Sequence, residues 1–331
     1  MDKLVINAVA GSGKTSTIVS QLDEIDNIAL ITYTRANEAS LRSKILEKFG
    51  FIPQNLHVYN YFSFIYRVCF LPITITDNKG ICFDTPSYYD RSYFTSDGRI
   101  YSNKLALFLN KYKQNEFLSR LNKYYDKIYV DEMQDFGADD FDFLLSLANL
   151  DIRVTLVGDF YQRTFNTSQR GNKNKAIKKD YAIYIEKLKS AGYAIDEQSL
   201  IECYRCSSNV CAFVSTNLGI KIFSKKDNTI VRRIDSNQEI ETILQSNETI
   251  KLFYQNHSKY RLRSSNWGLS KGEEYEHVCV VLNDTTAKAF NNSSLHELAP
   301  TTLSKFYVAC TRTLGNLFFI DERNIPDSYK K

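Results

Sequence analysis

Two glycines flank a serine at residues 11–13, and Lys14 and Thr15 follow at once in the stretch AVAGSGKTS. Gly11 and Gly13 permit a tight turn, and the backbone N–H groups from Ala10 through Ser12 to Ser16 can then face phosphates at a helix N-terminus. Lys14 is long enough to reach β- and γ-phosphates, and the Thr15 hydroxyl is placed to bind Mg²⁺. Ala8 stands where the strict pattern has its first glycine, so the match is to the variant A-x-x-G-x-G-K-T. Taken alone, these residues are also compatible with a chance glycine-rich turn.

A second group of chemistry-bearing residues is KIYVDEMQDF, in which an apolar run delivers Asp131 and Glu132 at its carboxyl end. Ligands of open α/β sheets bind at the carboxyl ends of strands. One carboxylate there can hold Mg²⁺ while the next polarises an attacking water, and without a phosphate loop the pair reads as a solvated acidic turn. A third apolar run, RVTLVGD, ends in Asp159 with Gln162 one turn on. The Gln162 amide can both donate and accept, which suits sensing a phosphate or orienting water. Arg205, in ECYRCS, and Arg312, in FYVACTRT, read either as structural ion-pair residues or as arginine fingers.

The elements that must position these residues alternate. Strand-like runs (KLVINAV, NIALITYT, NLHVYNY, KIYVDE, RVTLVGD, TIKLFYQ, EHVCVVL, NLFFID) are separated by helix-compatible stretches such as RANEASLRSKILEKF and DDFDFLLSLANL. That alternation predicts α/β architecture with mainly parallel sheets. The 331 residues suffice for one large or two medium domains. The lysine-rich stretch 171–189 with the following GYAIDEQSL predicts a boundary, giving domains 1–190 and 191–331. Residues 74–103 are polar, tyrosine-rich and aperiodic, and mark a short insertion within about 65–125. The longest apolar runs are strand-sized and no basic-then-apolar leader is present, so the expectation is a cytoplasmic protein without a membrane partner. The seven cysteines lie in apolar contexts and are read as reduced; Cys203, Cys206 and Cys211 have a zinc-like first spacing but no fourth ligand nearby. The net charge of +4 is too mild to predict nucleic acid by itself, although RTFNTSQRGNKNKAIKK and KKDNTIVRR are locally basic.

The ordered set AVAGSGKT, ITYTRANEASLRSKI, VYNYFSF, VDEMQDF, LVGDFYQRTF, ECYRCS, LSKGEEYEHVCVV and FYVACTRT resembles superfamily 1 DNA helicases of the UvrD, PcrA and Rep type. The resemblance spans nearly the whole chain, and the SKGEEYEHV and YVACTRT forms resemble the 3′-to-5′ branch. It implies two RecA-like P-loop NTPase domains, with ATP and Mg²⁺ as cofactors. It further implies that Lys14 and Thr15 bind phosphate and Mg²⁺, that Asp131 belongs to the Mg²⁺ shell and that Glu132 is the general base. Gln162, Arg205 and Arg312 would contact the γ-phosphate, Tyr204 would stack on adenine, and Glu274 would lie near the ribose. For the nucleic acid, Thr32, Tyr33 and Thr34, then Asn60, Tyr61, Phe62 and Ser63, fall where the family grips a single strand, and Phe165 matches a further aromatic of that channel. With 22 tyrosines and 21 phenylalanines in the chain, each of these aromatics is equally open to a core role.

Several positions depart from the family pattern. A glutamine-containing adenine motif is expected upstream of the first strand, which here starts at about residue 3, and Ser16 replaces an arginine that packs on adenine. A tryptophan beyond GDxxQ is missing, TFHSF has become NYFSF, and Gly268 stands where a histidine is frequent. The intervals that hold accessory domains in full-size relatives contain only about sixty residues each. The expectation is therefore a compact ATP-driven translocase or helicase on single-stranded DNA or a tailed duplex, whose two domains alternate their grip on the strand. The alternative is a DNA-regulated ATPase that senses DNA and controls a protein partner, such as a nuclease in phage defence. A small-molecule P-loop kinase is disfavoured by the late arginine motifs.

Overall fold

The computed structural model describes residues 2–74, 79–84, 86, 91–164, 173–174, 176–178 and 180–331. Contacts divide the chain into two compact units, one comprising Met1–Asn7, Lys14–Gly158 and Asn166–Glu197, the other Ala8–Gly13, Asp159–Phe165 and Gln198–Lys331. Two short pieces of the N-terminal half, the glycine turn and the segment after the third apolar strand, thus group with the second unit.

In the first unit the elements follow as β1 (Lys3–Asn7), α1 (Lys14–Ser20), β2 (Ile28–Thr32), α2 (Arg35–Phe49), β3 (Leu56–Asn60) and the short α3 (Tyr61–Ser63). A π-helix over Phe64–Phe70 continues α3. Then come β4 (Ile81–Cys82), β5 (Ile100–Tyr101), α4 (Ser102–Tyr112), α5 (Gln114–Tyr124), β6 (Lys127–Val130), α6 (Ala138–Ser146), β7 (Arg153–Gly158), α7 (Tyr181–Ser190) and β8 (Ala194–Asp196). Among the described residues the main sheet has the order β3-β2-β6-β7-β1-β8, with every pairing parallel. β2 is buried along its whole length, which its IALIT sequence requires of an interior parallel strand. The register pairs Asn7 with Gly158, Leu156 with Val130, and Thr32 with Asn60. Because all the strands run one way, the chain leaves the same edge of this sheet after Asn7, Thr32, Asn60, Val130 and Gly158, and that edge is where the chemistry-bearing segments begin.

The insertion contains β4 paired with β5, and α4 and α5. It has an aromatic core of its own, in which Phe108 meets Phe70, Tyr93 and Phe94 at ring centroid distances of 5.7, 5.5 and 5.7 Å.

The second unit runs α8 (Ser208–Leu218), β9 (Val231–Arg233), α9 (Asn237–Gln245), β10 (Thr249–Phe253), β11 (Ser264–Asn266), β12 (His277–Leu282), α10 (Asp284–Asn291), α11 (Pro300–Cys310) and β13 (Leu317–Asp321). Its described strands form a parallel sheet of order β11-β10-β12-β13-β9. The side-chain period of two sends Val278, Val280 and Leu282 of β12 into one core and Cys279 and Val281 into another on the opposite face. Both faces of this sheet are therefore covered. The short strands β8, β9 and β11 were not among the apolar runs of the sequence. All three are edge strands of three pairs each and contain at least one polar residue, so they carry no continuous apolar signal.

Candidate functional site

In the first unit, α1 begins at Lys14, which is almost fully buried. The Thr15 hydroxyl donates to Asp131 Oδ2 at 2.8 Å, and the other carboxylate oxygen of Asp131 accepts the backbone N–H of Glu132 at 2.9 Å. Asp131 itself is anchored by donating its backbone N–H to Ile31 O, so the end of β6 is fixed to β2. Burial, and then the charge of Glu132, push the Asp131 carboxyl up to about 6, while the Thr15 hydroxyl and the Lys14 ammonium pull it down. A buried carboxylate in that balance is stabilised by any further cation beside it.

Glu132 has φ 57 and ψ 44, the left-handed region that costs a non-glycine residue roughly 1–3 kcal/mol. Its carboxylate accepts a hydrogen bond from the Gln134 amide, which is fully buried. Gly158 is needed opposite this turn: a Cβ there would lie 2.7 Å from Met133 Cγ and 3.0 Å from Met133 N. The sequence pointed to Asp131 and Glu132 but not to Gln134, whose role depends on the turn that follows the strand.

The second unit holds the glycine turn. Gly11 has φ 68, and a Cβ on it would meet Arg205 Cβ at 2.7 Å and Cys203 Sγ at 2.9 Å. The backbone N–H of Tyr204 donates to Gly11 O at 2.9 Å, and that of Val9 donates to Leu200 O at 2.9 Å. One expectation needs correction here. The Ala10 N–H, read from the sequence as a phosphate donor, is occupied, because it donates to the Tyr307 hydroxyl at 2.8 Å. That hydroxyl donates in turn to Asp159 Oδ2 at 3.0 Å. Ser12 is also turned inward, with its hydroxyl donating to Val9 O at 2.8 Å. Tyr307 was not singled out, since a tyrosine inside an apolar helix reads as core.

Arg205 Nε donates to Glu274 at 2.7 Å, and Arg205 Nη1 reaches Thr311 O at 3.3 Å. The two residues expected at different parts of a nucleotide are thus brought together as an ion pair. Arg312 is 2% exposed, and its guanidinium donates to Val308 O (3.1 Å), Glu273 O (3.4 Å) and Thr311 Oγ1 (3.5 Å). Gln162 is buried, whereas Tyr204 is 65% exposed and leaves its ring open to stacking. Cys203, Cys206 and Cys211 are buried free thiols.

The residues expected to grip a strand divide by burial. Thr32 is fully buried, and Thr34 caps α2 by accepting the Asn37 N–H. Asn60 caps α3 through Ser63 N–H and donates its amide to Glu38, so both ends of its side chain are used within the fold. Tyr61 is 1% exposed, donates its hydroxyl to Asp140 at 2.8 Å and is a core residue here. Tyr33 is half-buried, stacks on Tyr61 at 5.4 Å and also donates to Asp140. Phe62 and Ser63 are partly exposed. Phe165 and Ser16 differ in status: Phe165 lies outside the described residues, while the Ser16 hydroxyl accepts a hydrogen bond from Lys44 Nζ at 2.8 Å.

The family model described as the viral superfamily 1 RNA helicase core domain matches residues 106–321, well over half of the chain. No curated protein matches. Among solved structures, the arterivirus nonstructural protein 10 helicase is similar with a TM-score of 0.54 at 14% identity, covering 99% of this chain and 62% of that one. The complex of that helicase with DNA gives 0.51 at 14% identity, covering 99% and 63%. The PRRSV helicase gives 0.50 at 14% identity, covering 99% and 54%. The chain thus spans between about half and two thirds of the length of these structures, and at this identity the likeness concerns the fold.

Proposed function

We propose, for a chain that belongs to the viral superfamily 1 RNA helicase core family, a motor that couples ATP hydrolysis to movement along single-stranded nucleic acid. The observation that carries this reading is the Thr15–Asp131 hydrogen bond, with Glu132 next in the chain, turned by its left-handed backbone and held by Gln134. A hydroxyl and a buried carboxylate 2.8 Å apart are a donor set suited to Mg²⁺, which takes one or two protein oxygens and fills its shell with water and phosphate oxygens. Thr15 and Asp131 would hold the ion, and when bound it supplies neutralisation of phosphate charge. Lys14 binds the phosphates, and Glu132 accepts the proton of the attacking water while the Gln134 amide holds its carboxylate in place. Gln162, Arg205 and Arg312 keep the γ-phosphate contacts that the superfamily 1 resemblance implies, and the open ring of Tyr204 is the candidate stacking face for the base.

The two folds are read as RecA-like motor domains, and the direction of movement as 3′ to 5′, on the SKGEEYEHV and YVACTRT motifs. The family description names RNA and one similar structure is held with DNA, so the substrate assay carries both. ATP hydrolysis is measured with and without single-stranded DNA or RNA, together with strand displacement on 3′-tailed and 5′-tailed duplexes. Stimulation by a single strand with displacement of the 3′-tailed duplex is expected. Stimulation without displacement of either duplex would replace the motor by a sensor that acts through a protein partner, and absence of stimulation would end the reading.

A further inference from the structure

A groove of about 510 Å³ lies in the first unit beside the π-helix, lined by Tyr33, Arg35, Phe62, Ser63, Arg67 and Phe83 among others. Among the described residues that line it there is no aspartate or glutamate, while there are two arginines. Both arginines are exposed, and neither forms an ion pair or hydrogen bond with a described residue. The nearby Glu38 carboxylate is taken up by Arg42 and Asn60, so among the described residues the two arginines leave a local field that favours an anion.

The π-helix explains why Arg67 faces the groove. Over Phe64–Phe70 the wider turn, closed by the Leu71 N–H donating to Tyr66 O, keeps Phe64, Ile65, Cys69 and Phe70 buried while leaving Tyr66 and Arg67 outward. Single π-turns of this kind are found disproportionately at functional sites. Arg120 holds the segment by donating to Val68 O at 3.1 Å.

The insertion supplies Phe83 to the lining. Phe83 follows β4, is 65% exposed, and meets Phe62 edge-on with ring centroids 5.1 Å apart and an interplanar angle of 82°. Phe62 meets Tyr33 in the same fashion at 5.9 Å. A large exposed phenylalanine beside a half-exposed one presents apolar ring surface to a ligand that also has to satisfy two cations. A flat, apolar-faced base carried on a phosphate chain meets both demands, because each base offers a π-face and each linkage one negative charge.

We infer a clamp on a single strand in which the exposed ring surface of the Phe83–Phe62 pair stacks on one base while Arg67 and Arg35 bind the phosphates that flank it. The inference rests on the nucleic-acid reading above and assigns Phe83 and Arg67, which lie outside the helicase-like motifs, and Arg35, which lies within one of them but has no role assigned there. It also gives the insertion a role, that of carrying one jaw of the clamp.

The test is fluorescence anisotropy of short labelled oligothymidylate and oligouridylate with the full chain over a series of salt concentrations. Phe83→Ala is expected to weaken binding by about tenfold, the loss of one stacked base, and Phe83→Trp to restore it. Arg67→Ala is expected to lower the slope of log affinity against log salt by about 0.7, one phosphate of a single strand, with Arg67→Lys retaining the slope. A structural role for Arg67 would not move that slope. Because Phe83 and Arg67 are exposed, melting temperatures should match the unaltered protein. Unchanged affinity and slope in both alanine variants, with normal binding by the unaltered protein, would overturn the clamp and leave the motor reading intact. Failure of the unaltered protein to bind either oligomer would overturn both. Equal effects on the two oligomers assign the clamp to any single strand, and an effect on one alone assigns it to that strand.

Discussion

In the first unit the candidate catalytic side chains bond to one another and to Gln134, whereas in the second unit the candidate arginines bond to backbone carbonyls, a hydroxyl and a carboxylate. The Thr15 hydroxyl and the Glu132 N–H both donate to the Asp131 carboxylate at the strand end, the Gln134 amide donates to Glu132, and Glu132 remains partly exposed. In the second unit Arg312 is fixed by three protein acceptors, Arg205 by a carboxylate and a carbonyl, and the glycine turn by the Tyr307 hydroxyl. On the proposed reading, Arg205 and Arg312 would exchange or share these partners before meeting a phosphate. The exchange differs in cost between the two arginines. The Arg205–Glu274 pair is half-exposed on the Glu274 side, and such pairs are worth about 0–1 kcal/mol. Arg312 is buried, and each hydrogen bond from a charged group inside a protein is worth roughly 1.5–3 kcal/mol. Arg205 is accordingly the more easily released of the two, and on the proposed reading Arg312 would act from a fixed position.

Substitutions sharpen this contrast in order of size. Glu132→Gln should lower kcat by about 10³-fold while nucleotide stays bound, because the change removes the base and keeps the shape of the site. Lys14→Ala should lose binding as well as turnover. Equilibrium nucleotide binding alongside single-turnover hydrolysis checks the pair, and a Glu132→Gln protein that turns over normally would remove Glu132 from the mechanism.

Arg312→Ala comes next, with a fall in kcat of about 10²–10³-fold. Arg312→Lys should rescue little, because an ammonium cannot reproduce the fork that spans Val308 O, Glu273 O and Thr311 Oγ1. If both variants lose activity only in proportion to lost folded protein on thermal melting, Arg312 is structural.

Tyr307→Phe should act on stability more than on chemistry. It takes a partner from both the Ala10 N–H and the Asp159 carboxylate, a loss of about 1–3 kcal/mol in denaturant titration with kcat reduced less than tenfold. No change in the unfolding midpoint would show that the bridge contributes nothing to the glycine turn.

The smallest effect belongs to Glu274→Gln. Stability should fall by less than about 1 kcal/mol, and KM should change by no more than roughly threefold, since Arg205 is then released rather than lost. A large drop in kcat here, comparable with Arg205→Ala, would mean that the pair acts as a unit and would erase the distinction between the two arginines.

Much of this was legible in the order of residues. Lys14, Thr15, Asp131 and Glu132 announce themselves because a strand, a turn and a helix start are local patterns, and each of these residues sits where one such pattern ends. The parallel sheets follow from the same alternation of apolar runs and helical stretches. The proposed nucleic-acid face was less legible. Asn60 and Tyr61 lie in the stretch that resembles a strand-gripping motif, but one caps a helix and the other fills the core. Conversely Phe83 and Arg67 belong to no motif, and only folding brings the insertion beside the π-helix.

Residue order alone sets out the chemistry on offer: a glycine turn of a type suited to phosphate, paired carboxylates at a strand end, two late arginines and the α/β alternation that carries them. Tertiary structure decided which of those groups are committed elsewhere. The Ala10 amide meets a hydroxyl 297 residues away, the Tyr307 hydroxyl meets a carboxylate 148 residues away, and Gly11 packs against Cys203 and Arg205. Hydrogen bonds and packing contacts act only over a few ångströms, and the residues that meet across that distance are set by how the sheets and helices stack, so no local spacing in the chain can announce them.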